Sequence, residues 1–226
     1  VITERGQYRG VGWVQDLLRE VTAMQMESAR YANPLTQLPG NVPINQHIEE
    51  LLDLGIDYCV VYGDLDNFKP FNDVYGYAKG DEVIQLTAKV LAQNCDPHVD
   101  YVGHIGGDDF ILIFRSADWH QRCEVTLQRF GVEIASFFSN DDLARGGYVT
   151  ENRKGLPEFH PLISLSLGAV EVKSGVFANH LEVAKVASEV KKKAKSIAGN
   201  SLYVNQRAIA RAEIVIEGEL LPGERM

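Results

Sequence analysis

The chain has 226 residues, of which 45% are hydrophobic and 23% charged, so it can bury the core of one globular domain and carry additional segments. Its formal net charge of -9, with no basic patch interleaved with aromatic residues, excludes a nucleic-acid-binding surface. No apolar run approaches the length of a membrane-spanning helix, and the three cysteines are widely spaced, so we expect a reduced, cytoplasmic protein.

Residues 1–33 are predicted to form a strand, a turn, a second strand and a helix that runs into the main domain. The pattern over residues 1–19 resembles the C-terminal end of a CBS domain, with Asp16 near the helix start; a generic hairpin and helix is the alternative. In CBS domains that bind adenine nucleotides, Thr or Ser stands three residues before this Asp, where this chain has Trp13. The resemblance therefore implies attached CBS and other signalling domains but no ligand site, and we expect the apolar face of residues 1–22 to lack a partner within the chain.

A turn and a second helix are predicted to lead into the main domain. Pro34 disfavours helical geometry at Asn33, and the Pro39-Gly40 pair is typical of a turn. We therefore expect the first helix to end near residue 33 and the second to cover residues 44–54.

A β-branched run at residues 59–66 predicts a buried strand that ends in two acids, Asp64 and Asp66. A helix start is predicted directly afterwards, at Asn67, Phe68 and Lys69, where free N–H groups and the helix dipole suit phosphate oxygens. Another helix is predicted over residues 81–94, where apolar residues at helical spacing indicate core packing.

Residues 101–114 predict a β-hairpin whose tip carries Gly106, Gly107, Asp108 and Asp109. The glycines permit positive φ and the close approach of a ligand, and the acids place negative charge at the tip. Solvated acids in an ordinary hairpin are the alternative for this stretch alone. If the two acidic strand ends are neighbours in a sheet, their carboxylates suit a hard divalent cation such as Mg²⁺.

The remaining predicted elements are a helix over residues 119–138, an insertion at about 139–160 with a polar loop or hairpin, a strand over 161–170 and a helix over 181–198. The last helix contains the run Lys191-Lys-Lys-Ala-Lys195, which on its own indicates a solvated face. Residues 208–226 are charged and are predicted to lead out of the domain as a tail.

Three motifs, in this order, resemble the GGDEF domain of diguanylate cyclases: Asp64-Leu-Asp-Asn-Phe-Lys-Pro-Phe-Asn-Asp73, Tyr75-Gly-Tyr-Ala-Lys-Gly-Asp81 and Gly106-Gly-Asp-Asp-Phe110. The resemblance extends over most of the chain, and we assign residues 34–207 to this domain. It implies an α+β fold with a central, mostly antiparallel sheet flanked by helices, as in nucleotide cyclases and polymerase palms. It also implies the family's reaction, in which two GTP condense to cyclic di-GMP and release pyrophosphate.

The resemblance implies which residues serve the reacting groups. Asp64, Asp108 and the carbonyl of Leu65 match the family's ligands for Mg²⁺, which Mn²⁺ can replace. Asp109 is the predicted catalytic residue, expected to assist deprotonation of the attacking 3′-hydroxyl or to complete the metal site. Because each domain holds one GTP, activity is expected to require a homodimer that brings two sites face to face.

The resemblance also implies which residues bind the substrate. Asn72 and Asp81 match residues that hydrogen-bond the guanine base. Phe68 and Lys69 lie in the motif that cradles the phosphates. Lys195 stands at a phosphate-contacting lysine in Ala194-Lys-Ser-Ile-Ala-Gly-Asn200, which resembles the family's Ala-Lys-x-x-Gly-Arg-Asn.

Several positions depart from the family pattern. Asp109 is one methylene shorter than the usual glutamate, and Gly199 stands where a phosphate-binding arginine is expected. In the Arg-x-x-Asp product-inhibition site, Asp100 matches the Asp while Pro97 replaces the Arg, and the basic residue before the signature is His104. These departures support a rival hypothesis, a degenerate domain that binds GTP without turnover and regulates an attached module.

Overall fold

The structure, a computed structural model, describes residues 2–10, 13–151 and 155–205. The strands in these residues are β1 (Ile2–Glu4), β2 (Gln7–Gly10), β3 (Tyr58–Asp66), β4 (Tyr101–Gly106), β5 (Asp109–Phe114), β6 (Gly147–Glu151), β7 (Pro157–Pro161), β8 (Ser164–Val172) and β9 (Ser201–Val204). The helices are α1 (Val14–Tyr31), α2 (Asn41–Asp53), α3 (Phe68–Tyr75), α4 (Tyr77–Gln93), α5 (Trp119–Ile134), α6 (Asn140–Arg145) and α7 (His180–Ala194), with a 3₁₀ turn at Ala135–Phe137.

The centre of the domain is a five-stranded sheet with the strand order β4-β5-β3-β8-β9. Its pairs are antiparallel except for β8 and β9, which run parallel and are connected by α7. Helices cover the sheet, so the predicted α+β fold with a mostly antiparallel central sheet is confirmed.

Both faces of the sheet are buried, and successive residues of β5 alternate between them, as the two-residue period of a strand requires. Phe110, Leu112 and Phe114 belong to one core, which also contains residues of α3, α4 and α5. Ile111 and Ile113 belong to the other core, which also contains residues of α2 and α7. Residues in phase with Ile111 on β5 therefore face α7.

The N-terminal extension has the predicted order of strand, strand and helix, with β1 and β2 paired antiparallel. Apolar side chains of this extension, from Trp13 along α1, are between 41% and 74% exposed. They are Trp13, Val14, Leu17, Leu18, Val21, Met24 and Met26. The assignment of this segment to a CBS domain, and the division of the chain at residue 33, stay predictions.

The insertion predicted at about 139–160 contains α6 and a two-stranded antiparallel ribbon of β6 and β7. Its exposed face carries the cross-strand pair Val149 and Phe159. The tail predicted at 208–226 lies outside the described residues. No helix in the part of the chain that the structure describes has the length and apolar content needed to span a bilayer.

Helix boundaries differ from the predicted ones where backbone geometry outweighs side-chain pattern. The helix predicted to begin at Asp81 begins at Tyr77, because Gly76 adopts a φ of 84° and separates α3 from α4. The helix predicted to continue to residue 138 ends at Ile134 and tightens into the 3₁₀ turn.

Candidate active site

Two acidic strand ends meet at one edge of the central sheet. Asp64 on β3 pairs in register with Asp109 at the start of β5. Directly opposite residues of an antiparallel pair point to the same face, so the two carboxylates share a face. Asp109 is in phase with Ile111 and Ile113, and this face is therefore the one covered by α7. The two acidic strand ends that the sequence predicted are thus neighbours.

The hairpin tip is shaped by its glycines and tied down by one histidine. Gly106 and Gly107 adopt φ values of 149° and 59°, which side chains rarely permit. The His104 ring stacks on Phe110 and bonds through Nε2 to the Gly107 carbonyl at 3.0 Å. Because a carbonyl only accepts, Nε2 carries the proton, and Nδ1 accepts from the Thr36 hydroxyl at 3.0 Å. His104 is buried, and burial lowers its pKa, so this ring positions the tip and does not reach outward.

The two acids at the tip have different surroundings. The Asp109 side chain is 33% exposed and contacts a lysine, as described below. Asp108 lies in the turn, and among the described residues its carboxylate makes no ion pair or hydrogen bond. The register therefore brings Asp109 to Asp64, whereas Asp108 stands outside that pair.

Two lysines neutralise this edge, Lys191 on α7 and Lys195 directly after the end of that helix. The Lys191 ammonium bonds to the Asp109 carboxylate and lies 3.1 Å from an oxygen of Asp64. Lys195, one helical turn later, bonds to the other Asp64 oxygen and lies 3.9 Å from Asp66. Lys195 keeps helical backbone geometry, and residues four apart on a helix share a face, which explains why both ammonium groups reach Asp64.

The pKa values reflect burial and these contacts. Burial raises the pKa of Asp109, and the ion pair with Lys191 opposes that rise. Burial alone lowers the pKa of Lys191, but its bonds to Asp109 and Asp64 outweigh it, and the pKa is raised overall. Lys191 is therefore charged at neutral pH.

Asp66 has a structural environment of its own. Burial raises its pKa, while hydroxyl bonds from Ser166 at 2.5 Å and Ser164 at 3.1 Å oppose the rise. The sequence predicts only that these serines lie on a strand over residues 161–170, and their bonds to Asp66 were missed. Their alternate positions on β8, opposite the end of β3, are the signal that indicates the contact.

The predicted phosphate cradle follows β3 directly. Asn67 adopts a left-handed conformation with φ 60° and precedes α3. The first N–H groups of a helix have no partner within it, so the amides of Phe68 and Lys69 are oriented as donors. The Phe68 side chain is buried in the core, which leaves only its amide for a ligand, and the Lys69 side chain is exposed.

The predicted base-reading residues lie at the junction of α3 and α4. The Asn72 amide packs so closely on Gly80 that a Cβ at position 80 would lie 1.8 Å from Asn72 Oδ1. That oxygen is buried and accepts no hydrogen bond from the described residues. Asp81 follows Gly80 and is exposed. The structure thus places Asn72 next to the helical turn that carries Asp81.

A cavity of about 590 Å³ opens beside Lys195 and the start of α3. Its polar lining includes Asp66, Asn67 and Lys195, and its apolar wall includes residues of α5 and the insertion. Gly199 also lines the cavity and adopts a φ of 77°. A Cβ at this position would meet nothing within 4 Å, so this part of the cavity wall is open.

The donors at the strand ends fit a divalent cation. Two carboxylates, Asp64 and Asp109, face each other, and the Leu65 carbonyl follows Asp64 in the chain. Within residues 2–10, 13–151 and 155–205, no three His, Cys, Asp or Glu side chains converge as metal ligands. Mg²⁺ needs only one or two carboxylates, because water and phosphate oxygens complete its shell. The residues present therefore suit Mg²⁺ or Mn²⁺ bound together with a nucleotide.

Comparison with known proteins decides the family. Residues 31–144, half of the chain, match the family model described as "Diguanylate cyclase, GGDEF domain". The chain belongs to the GGDEF family. The resemblance found in the sequence motifs is thereby confirmed.

Curated relatives match parts of this GGDEF domain. An uncharacterized 19.3 kDa protein from Streptomyces ambofaciens is 33% identical over 108 residues, covering 48% of this chain and 57% of that protein. Diguanylate cyclase DgcM of Escherichia coli (strain K12) is 40% identical over 62 residues, covering 27% of this chain and 15% of that protein. The chain thus spans less than two thirds of the length of these relatives.

The fold agrees with a solved GGDEF structure. The GGDEF domain of DgcB from Caulobacter crescentus, in complex with c-di-GMP, superposes with a TM-score of 0.57 and is 25% identical. The alignment covers 77% of this chain and 95% of that one. Sequence reasoning from the motifs therefore identified the family and fold, whereas Lys191 was missed as a site residue. The signal for Lys191 is its spacing of four residues before Lys195 on one helix face.

Proposed function

We propose that this domain condenses two molecules of GTP into cyclic di-GMP. The 3′-hydroxyl of each GTP attacks the α-phosphorus of the other, so that two phosphodiester bonds form and two pyrophosphates leave. The observation that carries the proposal is the in-register pair of Asp64 and Asp109 at the edge that also holds Lys195 and the start of α3. The family membership of the chain supports it.

Each part of the substrate has a matching part of the domain. The Asn72 carbonyl oxygen, which lacks a donor, and the exposed Asp81 carboxylate are acceptors suited to the N–H groups of guanine. The amides of Phe68 and Lys69 donate to phosphate oxygens at the start of α3, and the Lys69 side chain adds charge. Lys195 reaches the same phosphates once it leaves Asp64.

The carboxylates serve the reacting groups. Asp64 and the Leu65 carbonyl would hold Mg²⁺ or Mn²⁺ together with Asp109 or Asp108. The bound cation supplies electrostatic stabilisation of the charge that develops on the phosphate oxygens. The register favours Asp109 for the shared position, since it lies opposite Asp64. The acid left outside the metal shell is then placed to accept the proton of the attacking hydroxyl.

Two copies of the chain are needed for the complete reaction. Each domain binds one GTP, and both hydroxyls attack phosphates held by the other copy. A homodimer with the two hairpin tips face to face positions the nucleotides, and positioning of this kind supplies much of the rate. We therefore expect the specific activity to rise with protein concentration.

The test is incubation of the purified protein with GTP and Mg²⁺, followed by chromatographic separation of nucleotides. We expect cyclic di-GMP and pyrophosphate from the wild type and no product from Asp64→Asn, which keeps the shape of the side chain but removes its charge. The absence of product from the wild type over a range of protein concentrations contradicts the proposal.

A second candidate function is a GTP-binding domain without turnover that regulates an attached module. The specific observation that favours it is the pairing of Asp64 with Lys191 and Lys195, and of Asp109 with Lys191. Gly199, which replaces a phosphate-binding arginine, and Asp109, which is shorter than the usual glutamate, are also expected to bind the reacting groups more weakly. Binding of GTP by calorimetry without any product, for both the wild type and Asp109→Glu, supports this candidate.

A further inference from the structure

Lys191 occupies the position between the two carboxylates that face each other at the sheet edge. Its ammonium bonds to the Asp109 carboxylate and lies 3.1 Å from Asp64 Oδ2. A divalent cation shared by these acids binds to the same oxygens. The ammonium and the metal therefore compete for one place.

The position of Lys191 is set by the fold. Its side chain is only 20% exposed, and the Asp64 side chain is only 7% exposed. Ala187, Val190 and Ala194 on α7 are buried against the sheet and fix the rotation of the helix. The neighbouring Lys192, by contrast, is exposed and makes no ion pair among the described residues. The run of lysines thus contains one internal cation next to an ordinary surface lysine.

We propose that Lys191 is a built-in counter-ion that fills the divalent-cation position of the metal-free domain and is displaced when the metal binds. This inference rests on the proposed function, because the metal position belongs to it. The fixed charges make the exchange necessary: an ammonium and a divalent cation within bonding distance of the same two oxygens repel each other strongly in a half-buried site. Metal binding therefore includes the movement of the Lys191 side chain away from Asp64 and Asp109.

If Lys191 occupies the metal position, the affinity of the domain for a divalent cation is lowered. A protein whose binding-competent form is one tenth of the population binds its ligand about tenfold more weakly than the competent form itself. Removal of the Lys191 charge is therefore expected to tighten metal binding by about tenfold or more. The same removal leaves two carboxylates facing each other, so the metal-free protein should unfold at a lower temperature.

The test uses Mn²⁺ alone, without nucleotide, and measures binding by electron paramagnetic resonance. Lys191→Met keeps an unbranched side chain only one atom shorter and removes the charge, and we expect its dissociation constant for Mn²⁺ to fall by about tenfold or more. Lys192→Met, the same change one residue later on the exposed side, should stay within twofold of the wild type. Lys191→Arg keeps the positive charge and should keep the weak binding.

Thermal unfolding gives a second readout. Added Mn²⁺ should raise the Tm of Lys191→Met by more than it raises the Tm of the wild type, because tighter ligands stabilise more. If Lys191→Met does not yield folded protein, Lys191→Gln, which keeps a polar end, carries the same expectations. Binding of Mn²⁺ that is unchanged or weaker in the neutral variants overturns the inference.

The outcomes separate this inference from the proposed function. If all Lys191 variants bind Mn²⁺ with the wild-type affinity and Asp64→Asn does not bind it, Lys191 is not a counter-ion at the metal position. The assignment of the metal site to Asp64 is then unaffected. Binding of Mn²⁺ that persists unchanged in Asp64→Asn removes the metal site on which the proposed function depends. Tighter binding by Lys191→Met that disappears in the double variant with Asp64→Asn supports both.

Discussion

Each end of the hairpin formed by β4 and β5 has a carboxylate, but the two carboxylates are bound by different kinds of groups. At the tip, Asp109 is paired with the side-chain ammonium of Lys191. At the open end, buried Asp100 accepts hydrogen bonds from the amides of Asp96, Arg115 and Ser116 at 2.9 to 3.0 Å and from the Ser116 hydroxyl at 2.8 Å.

The difference separates a ligand site from a structural site. Backbone amides cannot leave Asp100 without unfolding the hairpin, so this carboxylate is committed to holding the two strands together. A lysine side chain can rotate away from Asp109 without breaking a backbone hydrogen bond, so a ligand can take the place of its ammonium. Pro97, which lacks a donor, and the commitment of Asp100 both argue against a product-binding site at the open end.

The largest expected effect is the loss of product formation when Asp109 at the hairpin tip is substituted. Asp109→Ala should reduce product formation by about 10²- to 10⁴-fold, as expected for loss of a positioned acid or base, while the fold remains intact. Initial rates measured by chromatography, with circular dichroism as the folding check, give the result. If Asp109→Ala turns over GTP at the wild-type rate, Asp109 at the hairpin tip is not part of the active site.

The comparison with Asp108→Ala assigns the roles of the two acids. Mn²⁺ binding that is lost in Asp109→Ala and kept in Asp108→Ala places Asp109 in the metal shell with Asp64, as the register favours. The reverse result assigns the metal to Asp108 and the attacking hydroxyl to Asp109, which is the division predicted from sequence.

The next largest effect is the loss of stability when Asp100 at the open end of the hairpin is substituted. Asp100→Ala leaves three part-buried backbone amides without their acceptor and should lower the free energy of unfolding by about 3 kcal/mol, a fall in Tm of roughly 6–12 °C. Asp96→Ala removes a carboxylate with one exposed hydrogen bond and serves as the control, with about 1 kcal/mol or less expected.

Product binding sharpens this result. Calorimetry should detect no sub-micromolar binding of cyclic di-GMP at Asp100. Tight binding by the wild type that is lost in a folded Asp100→Ala protein contradicts the structural role of this carboxylate.

A smaller effect is expected from the residue that ties down the tip. His104→Ala removes the bonds to Thr36 and to the Gly107 carbonyl, so Asp108 and Asp109 are held less firmly. We expect kcat to fall by about tenfold with little change in the KM for GTP, because positioning is lost and substrate contacts remain. His98→Ala, at an exposed position before β4, should behave as the wild type. A larger change in KM than in kcat shows that His104 contacts the substrate.

The smallest expected effect concerns the length of the acid at the tip. Asp109→Glu restores the residue common in the family and keeps the charge, so turnover should be unchanged or rise by a few fold. Product measured over time for both proteins tests this expectation. Product from Asp109→Glu together with none from the wild type establishes the degenerate domain.

The fold was accessible from sequence because its signals are local. The alternating apolar residues of β5 and the β-branched run of β3 predict strands, and Gly106 and Gly107 predict the tip. The motifs around Asp64 and Asp109 then indicate the family. Adjacency of the two acids was stated only as a condition, because strand order is a non-local property that no short pattern specifies.

The interior role of Lys191 was not accessible, since a lysine run is typical of a solvated face. Only the packing of α7 on the sheet distinguishes Lys191 from Lys192. The bonds from Ser164 and Ser166 to Asp66 were also missed, because they join strands about 100 residues apart and depend on the strand order. The early start of α4 at Tyr77 depends on the backbone conformation of Gly76, which the residue type permits but does not dictate.

The distance along the chain between the acids and their lysines has a consequence for synthesis. Asp64 precedes Lys195 by 131 residues, and Asp109 precedes Lys191 by 82. During translation the signature hairpin emerges first, and α7 follows only after the insertion and β8 have been made. Contacts between such distant segments form late in folding. A nascent chain therefore carries unneutralised acids until α7 and Lys195 have been made, and a truncated product that ends before α7 retains the full signature without these lysines.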